Sequence, residues 1–217
     1  MANRKGAWDY LFDVIQPDHA LLQEAQVRPG RPGFTKGRSI GKGSTKYGEG
    51  GRYAWGSVVW SRYELEEVEL PSYQGWVVAA QPLADAAPLL LSVHVELDRA
   101  GRSIPMLHRI ISDLTPTFER TSRLVLGGDL NADVAFDTKY GTRRHAIVFE
   151  RIEDLGLWHC NRLLPPGRRQ TFKGPEPVMD DHLFVSRRMM DDVVACHVLA
   201  GDDVPSDHFP VVLELDS

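Results

Sequence analysis

Acidic, amide and imidazole side chains recur where apolar segments of this sequence end. The segment LVLGGDLNAD, residues 124–133, runs through three apolar residues and two glycines into Asp129 and Asn131. Functional groups gather at such places because rigid strands fix them while the following loops leave room for a ligand. Comparable residues stand at Glu24 after HALLQ, at His94 in LLLSVH, at Asp181 in MDDHLFVS, and at Asp207 and His208 in SDHFP.

The acidic and amide residues of this set suit the hydrolysis of a phosphate ester. Glu24 and Asp207 are hard oxygen ligands of the kind that Mg²⁺ prefers, and a bound Mg²⁺ or Mn²⁺ would neutralise the phosphate and the leaving oxygen. Side chains two apart on a strand share one face, which predicts that Asp129 and Asn131 point the same way. The carboxylate would then orient or deprotonate a water, and the amide would hold that water or a phosphate oxygen.

Two histidines complete the hypothesis. His208 is a candidate acid or base, and Asp181 would hold its ring in one tautomer. His94 would donate a hydrogen bond to a phosphate oxygen or to the leaving group. The other six histidines are interpreted as structural or surface residues: His19, His108, His145, His159, His182 and His197.

Each of these residues also has a purely structural interpretation. A carboxylate after a strand is commonly a turn former or a helix cap. The triplet Asp129-Leu130-Asn131 alone could be an Asx-turn, and His94 in its apolar run could be a hydrogen-bonded core residue. Asp180-Asp181 and Asp207-His208 could simply form turns before strands. The argument for catalysis therefore depends on the whole ordered set.

Residues 28–51 are rich in glycine and predict a flexible, basic surface loop. Gly37-Arg38-Ser39-Ile40-Gly41 matches the nucleophile-elbow pattern G-x-S-x-G, but no strand is predicted before the serine and no helix after it. The same residues fall one position short of a phosphate-binding P-loop, and Gly43 stands where that motif needs Ser or Thr. The loop is interpreted without either motif, although its charge would suit an anionic substrate.

Composition predicts a single domain over residues 1–217, in a soluble cytoplasmic protein. The chain carries 25 Lys and Arg against 30 Asp and Glu, a net charge of −5, so that any nucleic-acid binding must come from a local patch. Cys160 and Cys196 have no metal or redox spacing and are interpreted as free buried thiols of a reducing compartment. No apolar run is long enough for a membrane span, and the first residues lack the apolar run of a signal peptide.

The apolar pattern predicts many strands covered by a few helices. Helical periodicity occurs over residues 7–15, 99–120 and 143–155, where Ile147, Ile152 and Leu155 are expected to face inward. Strand patterns fill most of the remaining sequence from Tyr53 onward, and no linker or internal repeat divides it. This order is typical of a layered α+β sandwich.

The ordered set resembles the endonuclease/exonuclease/phosphatase superfamily, which has the deoxyribonuclease-I-like fold. The matching segments span nearly the whole chain: PDHALLQEA, GSVVWSR, LLLSVHVEL, LVLGGDLNAD, MDDHLFVS and PSDHFPVVLEL. The resemblance implies a four-layer α/β/β/α sandwich of two mostly antiparallel sheets and metal-dependent hydrolysis of phosphate esters. It implies the same roles as the chemistry above: Glu24 and Asp207 at the metal, and His94, Asp129, Asn131, Asp181 and His208 in catalysis.

The beginning of the sequence departs from the pattern of this superfamily. Members start with a core strand that ends in an Asn of the metal site, whereas Met1-Ala2-Asn3 already matches the loop after that strand. We therefore expect the numbered chain to lack the first strand, with neighbouring backbone groups and apolar surface exposed as a result. The alternative is that Asn3 takes the role of the missing Asn.

These observations predict a metal-dependent phosphodiesterase or nuclease, with DNA or RNA as the leading substrate because the superfamily is rich in nucleases and the 28–51 loop is basic. A phosphomonoesterase or a phospholipid or inositol-phosphate hydrolase would use the same residues. A non-catalytic binding member of the superfamily is the alternative from another functional class. The sequence leaves the oligomeric state open.

Overall fold

The computed structural model describes residues 6–25, 38–43, 56–70 and 76–216, and within 38–43 the side chain of Ile40 alone. No helix in these ranges is both long and apolar enough to cross a membrane. The same ranges contain four α-helices: α1 (Ala7–Asp9), which continues as a π-helical segment over Tyr10–Ile15, α2 (Ile104–Arg120), α3 (Val134–Tyr140) and α4 (Arg144–Asp154).

The strands of the described residues form three hydrogen-bonded sheets. The order is β4-β5-β6-β7-β9-β8 in the largest sheet, β1-β3-β2 in the second and β10-β11 in the third. The pair β6–β7 is parallel, and the other pairs are antiparallel. The strands are β1 (His19–Ala25), β2 (Arg38–Gly43), β3 (Gly56–Ser61), β4 (Leu65–Val68), β5 (Val77–Pro82), β6 (Leu89–His94), β7 (Leu124–Asp129), β8 (Leu157–His159), β9 (Asp181–Ser186), β10 (Val193–Val198) and β11 (Val211–Leu215).

Both faces of the six-stranded sheet are buried, which explains why its central strands are apolar throughout. Alternate side chains belong to different cores: Leu91 and Leu126 pack on the side of the helices, whereas Leu90 and Val125 pack on the side of the other sheets. Such alternation follows from the two-residue period of a strand.

Helices α2 and α4 cover one face of this sheet. The buried stripe of α2 repeats at helical spacing through Leu107, Ile110, Ile111 and Leu114. These residues share one core with Leu91, Leu126 and other side chains of the six-stranded sheet. The amphipathic pattern of α2 therefore produces the first layer of the fold.

The other face packs against β1-β3-β2 and β10-β11. Val59 of β3 and Cys196 of β10 share a core with Val125 and Val185 of the six-stranded sheet. On the far side of β1 and β3, Trp8 joins a separate apolar cluster with other residues of the N-terminal helical segment. The result is a four-layer α/β/β/α sandwich, and the fold predicted from the sequence is confirmed.

Several local predictions need correction. Residues 38–43 form strand β2 rather than loop, because their backbone pairs with β3, while the rest of the predicted basic loop lies outside the described residues. Helix α2 begins at Ile104 and not at residue 99, because Asp98 accepts from the N–H groups of Ala100 and Arg102 in a tight turn. Helix α3 and strand β8 were not predicted.

One predicted core residue of α4 is exposed. Ile147 was expected to face inward, but the buried stripe of this helix consists of Val148, Phe149 and Ile152. Ile147 lies outside that stripe because each residue turns the helix by about 100°. The predicted burial of Ile152 is confirmed, whereas Leu155 is only partly buried.

Two glycines allow β7 to lie close to its neighbours. A Cβ on Gly127 would be 2.4 Å from the Leu183 side chain, and a Cβ on Gly128 would be 1.9 Å from the Val93 carbonyl oxygen. Gly128 also has a φ of +144°, which L side chains rarely adopt. The Gly-Gly pair is therefore a packing requirement of the strand that leads to Asp129.

We expect Gly128→Ala to lower the free energy of unfolding by about 3 kcal/mol or more, because backbone must move to admit the methyl group. Gly141→Ala is the matched control, since Gly141 also has positive φ but a Cβ there would meet nothing within 4 Å. That control should lose only about 1 kcal/mol. Chemical denaturation measures both, and equal losses would show that crowding by Val93 is not the cause.

Candidate active site

Three neighbouring strands of the six-stranded sheet bring candidate residues together at one end of the sheet. The ladder pairs Asp129 of β7 with His94 of β6 on one side and with Asp181 of β9 on the other. Directly paired residues place their side chains on the same face of a sheet. The three residues come from distant parts of the sequence, and strand register makes them neighbours.

Asp181 and His208 form a hydrogen-bonded pair. The Oδ2 atom of Asp181 lies 2.7 Å from Nδ1 of His208, so that the carboxylate accepts from Nδ1 and leaves Nε2 for chemistry. Burial would lower the pKa of His208, but the hydrogen bond and charge of Asp181, with further charge from Asp129 and Asp207, raise it to about 9. His208 is therefore cationic at neutral pH.

Asp129 is a buried carboxyl group with an altered pKa. Burial, together with the negative charge of Asp181, raises its pKa to about 8, although the charge of His208 acts in the opposite direction. Oδ2 of Asp129 lies 3.7 Å from Nε2 of His94, whose ring packs against Trp76 with centroids 4.9 Å apart. A carboxyl group with this pKa is close to the range in which a catalytic base works at neutral pH.

Asn131 lies in a turn and not in a continued strand. Strand β7 ends at Asp129, whose Oδ1 accepts from the Asn131 N–H at 2.9 Å, and Asn131 has a φ of +48°. This is an Asx-turn, so the strand period on which the prediction of a shared face was based ends at Asp129 and does not extend to Asn131. Residues outside the turn also bind Asn131. Its Nδ2 donates to the Val95 carbonyl at 2.9 Å, and its own carbonyl accepts from the Ser103 hydroxyl at 2.5 Å.

A segment that the sequence hypothesis did not include aligns Asp181 with His208. The buried Thr171 hydroxyl oxygen accepts from the N–H groups of Asp180 and Asp181 at 2.9 and 3.0 Å. The next residue, Phe172, forms an isolated antiparallel bridge with His208, and the two rings are 5.1 Å apart. In the sequence, the β-prone residues Gln170-Thr171-Phe172 indicate a short strand here, and they give no sign of contact with His208.

Asp180 is a further buried carboxyl group beside the pair. Burial and the charge of Asp181 raise its pKa to about 6. Its backbone carbonyl accepts from the Leu130 N–H at 2.9 Å, which ties β9 to the turn after Asp129. In sequence Asp180 could not be separated from a turn residue, and the tertiary structure places it among the catalytic candidates.

Glu24 lies at the same end of the sandwich as Asp129. A Cβ on Gly127 would contact Leu21, and a Cβ on Gly128 would contact Gln23. Strand β1 therefore runs past β7 in the same direction, so that Glu24, the residue after Gln23, lies at the end of the sandwich that carries Asp129. Glu24 is exposed and lies in a β-bulge between Leu22 and Ala25 with a φ of +48°, so its carboxylate leaves the regular pattern of the strand.

Asp207 precedes His208 in a partly buried loop. The Asp207 carbonyl accepts from the Lys173 N–H at 2.7 Å, and Lys173 Nζ donates to the Val204 carbonyl at 2.7 Å. Lys173 thus fixes both ends of the loop that carries Asp207. Of the sequence-predicted residues, His94, Asp129, Asn131, Asp181 and His208 come together with Asp207 beside them, whereas Asn3 lies outside the described residues.

Comparison with known protein families agrees with the phosphate-ester chemistry that this geometry suggests. A sequence model of the endonuclease/exonuclease/phosphatase family matches residues 8–208. The chain belongs to this family. The resemblance inferred from the sequence motifs is therefore confirmed, and the chain is a member of a family of nucleases and phosphatases that hydrolyse phosphate esters. No curated protein sequence matches the chain.

Solved structures of nucleases and phosphatases share the fold. The 3′ phosphatase NExo from Neisseria, bound to a product DNA hairpin, has a TM-score of 0.74 at 20% identity, covering 97% of this chain and 93% of that chain. An AP endonuclease from Archaeoglobus fulgidus has a TM-score of 0.72 at 20% identity, covering 95% and 91%. The endonuclease domain of TRAS1, a telomere-specific non-LTR retrotransposon, has a TM-score of 0.70 at 20% identity, covering 99% and 94%.

Members of the endonuclease/exonuclease/phosphatase family generally depend on a divalent metal. The described residues contain no group of three or more His, Cys, Asp or Glu side chains arranged as a ligand cluster. Mg²⁺ does not need one, because it binds through one or two carboxylates and keeps several waters. Glu24, which is exposed at this end of the sheet, and Asp207, next to His208, carry carboxylates of the kind that such a site uses.

Proposed function

We propose that this chain is a metal-dependent phosphodiesterase that cleaves DNA. Phosphate-ester hydrolysis is the activity of its family, and the choice of DNA draws on structural neighbours that include an AP endonuclease and a 3′ phosphatase bound to a DNA hairpin. A phosphomonoesterase acting on a DNA 3′ end is the second candidate, since one of these neighbours is a 3′ phosphatase.

The observation that carries the proposal is the pairing of two acid–base groups at one edge. Asp129, with a pKa of about 8, and the Asp181–His208 pair, with a His208 pKa of about 9, lie on neighbouring elements. Pairs of titratable groups with separately altered pKa values mark general acid–base sites. If the Asp181–His208 pair had only a structural role, it would not need a second buried carboxyl group, that of Asp129, beside it.

In the proposed mechanism, Asp129 orients a water and accepts a proton from it as the water attacks phosphorus. The Asn131 side-chain amide donates one of its two protons to the Val95 carbonyl, and the other proton can hold that water or a phosphate oxygen. His208 donates its Nε2 proton to the leaving oxygen as the bond between that oxygen and phosphorus breaks, and Asp181 keeps the ring oriented. His94, beside Asp129, donates to a phosphate oxygen.

A divalent cation held by Glu24 and Asp207 would neutralise charge on the phosphate and on the leaving oxygen. We expect EDTA to lower the rate of DNA cleavage by about a hundredfold or more, and Mg²⁺ or Mn²⁺ to restore it. Glu24→Gln should raise the Mg²⁺ concentration needed for half-maximal rate by about tenfold. Glu66→Gln, on exposed strand β4, is the matched control and should behave as the parent.

The substrate is tested with end-labelled duplex DNA, a DNA oligonucleotide with a 3′ phosphate, and a phosphoinositide. Internal or terminal cleavage of unmodified DNA that needs a divalent cation supports the phosphodiesterase. Release of phosphate from the 3′ end without strand cleavage supports the phosphomonoesterase. Hydrolysis of the phosphoinositide alone contradicts a DNA substrate, and no hydrolysis of any of the three supports a non-catalytic binding member.

A further inference from the structure

Two histidines that the mechanism does not use are buried behind the Asp129–Asn131 turn. His182 follows Asp181 in β9 and points to the opposite, helix-covered face of the sheet, as the two-residue period requires. His159 ends β8, where it pairs with Phe184. The ring of His159 stacks on Phe184 with centroids 4.4 Å apart, and the ring of His182 lies 4.7 Å from Phe149.

The direction of the hydrogen bonds between these rings follows from their last acceptor. Nε2 of His182 lies 2.7 Å from the Ala132 carbonyl oxygen, which can only accept, so this nitrogen carries a proton. Nδ1 of His182 is then the acceptor in the neutral ring, and it lies 3.0 Å from Nε2 of His159. The chain of donors runs from His159 Nε2–H to His182 Nδ1, and from His182 Nε2–H to Ala132.

Burial keeps both rings neutral, as this scheme needs. Burial lowers the pKa of His182, and it lowers the pKa of His159 further below the usual value of a histidine. Charged groups near the pair are Asp133 and Asp181 beside His182, and Arg162 and Arg169 beside His159. In the neutral pair each ring has one proton and one acceptor, and the tautomers are therefore determined.

Ala132 directly follows the Asp129–Asn131 turn, which carries two of the catalytic candidates. Ala132 is fully buried, and its neighbours in the chain are fixed by other elements. The Ser103 hydroxyl donates to the Asn131 carbonyl, and the Asp133 carboxylate accepts from the Met179 N–H at 2.8 Å. His182, from β9, supplies a further hydrogen bond at Ala132, which lies between Asn131 and Asp133 in the chain.

We infer that His159 and His182 are positioning residues for the reaction: their hydrogen-bonded pair holds the Ala132 carbonyl and thereby fixes the Asp129–Asn131 turn. This role rests on the proposed phosphodiesterase function for its effect on rate. It does not require either histidine to touch the substrate. A conformational error in this turn would misplace the attacking water, to which catalysis is sensitive.

The test compares variants that keep or remove a donor at the same place. His182→Gln retains an amide donor near the position of Nε2, whereas His182→Leu retains only apolar volume. We expect His182→Leu to lower kcat by about tenfold to a hundredfold with KM nearly unchanged, and His182→Gln to recover most of the loss. His159→Phe keeps a stacked ring but removes the donor to His182, and it should lower kcat by about tenfold.

A separate destabilised variant controls for a merely structural role. Val148→Ala removes buried volume from the same core without touching a hydrogen bond, and it should lower Tm while kcat stays at the parent value. If His182→Gln loses about tenfold or more of the parental kcat, or if His159→Phe keeps the parental kcat, the positioning role is wrong. These two variants retain polar or ring packing and decide the question even if His182→Leu does not fold.

Nuclear magnetic resonance of the parent tests the inference independently of activity. We expect ¹⁵N-correlated spectra to show His182 as the Nε2–H tautomer and His159 as a donor through Nε2. If the parent has no phosphodiesterase activity, the proposed function is wrong. The positioning inference would then still predict these tautomers, together with altered amide shifts of Asn131 and Asp133 in His159→Phe. The Nδ1–H tautomer of His182 would overturn the inference whatever the activity.

Discussion

Asp129→Asn should lower kcat for DNA cleavage by about 10²–10⁴-fold, because an amide oxygen accepts a hydrogen bond but not the proton of the attacking water. The Asn131 N–H keeps its acceptor in this variant, since the amide oxygen takes the place of Oδ1. The Asx-turn is therefore retained while the basic group is lost. Steady-state kinetics with saturating Mg²⁺ measure the effect.

The same substitution should raise stability at alkaline pH. The pKa of Asp129 rises from 3.8 to about 8 on folding, so that its ionisation opposes the folded state. The contribution of Asp129 to stability is present below pH 3.8 and is lost as pH rises to about 8. In metal-free buffer the Tm of Asp129→Asn should therefore exceed that of the parent above neutral pH.

A surface variant gives the control for Asp129. Asp154→Asn, at the exposed end of α4, removes one negative charge without entering the site and should leave kcat and Tm at parental values. An Asp129→Asn protein that keeps the parental kcat would exclude Asp129 as the base. A lowered Tm in the same variant would show that the buried carboxylate stabilises the fold, contrary to the raised pKa.

Asp181→Asn should move the alkaline limb of the pH–rate profile to lower pH. The hydrogen bond and charge of Asp181 hold the pKa of His208 at about 9, and removing them lets burial lower it. A general acid works only when protonated, so kcat/KM of the parent should fall above its pKa, and that of the variant should begin to fall at a lower pH. A displacement of about one pH unit or more between the two profiles is expected.

The difference in stability between the parent and Asp181→Asn should be largest below pH 6.5 and should shrink as pH rises through about 9. His208 has a folded pKa above its unfolded value of 6.5, so its contribution is fully present below pH 6.5 and is lost as pH rises through about 9. Asp181→Asn should reduce this contribution. His208→Gln serves as the reference for a site without the titrating ring, and an unshifted alkaline limb in Asp181→Asn would contradict the assignment of His208 as the acid.

The paired groups also explain why single motifs in this sequence were ambiguous. Asp129-Leu130-Asn131 forms an Asx-turn, which was the structural alternative inferred from the sequence. The same turn also supplies two catalytic candidates. The two interpretations do not compete, because the turn is what holds Asn131 at positive φ beside the Val95 carbonyl. In the same way His94 is both a buried histidine packed on Trp76 and a neighbour of Asp129.

The sequence by itself determined the layers of the fold and most of the candidate site. Apolar periodicity is local, so β6, β7 and the buried stripe of α2 could be recognised from residues close together in the chain. The types and order of Glu24, Asp129, Asn131 and Asp207-His208 carried the family resemblance. These signals need no knowledge of which strands are neighbours.

Tertiary structure alone decided which groups share a proton or a hydrogen bond. Strand register places Asp181 beside Asp129, and the bridge between Phe172 and His208 brings His208 to Asp181. The altered pKa values follow from this burial and proximity, which no local pattern encodes. His159 and His182 looked like ordinary core histidines for the same reason, since their bonds to each other and to Ala132 join residues far apart in the chain.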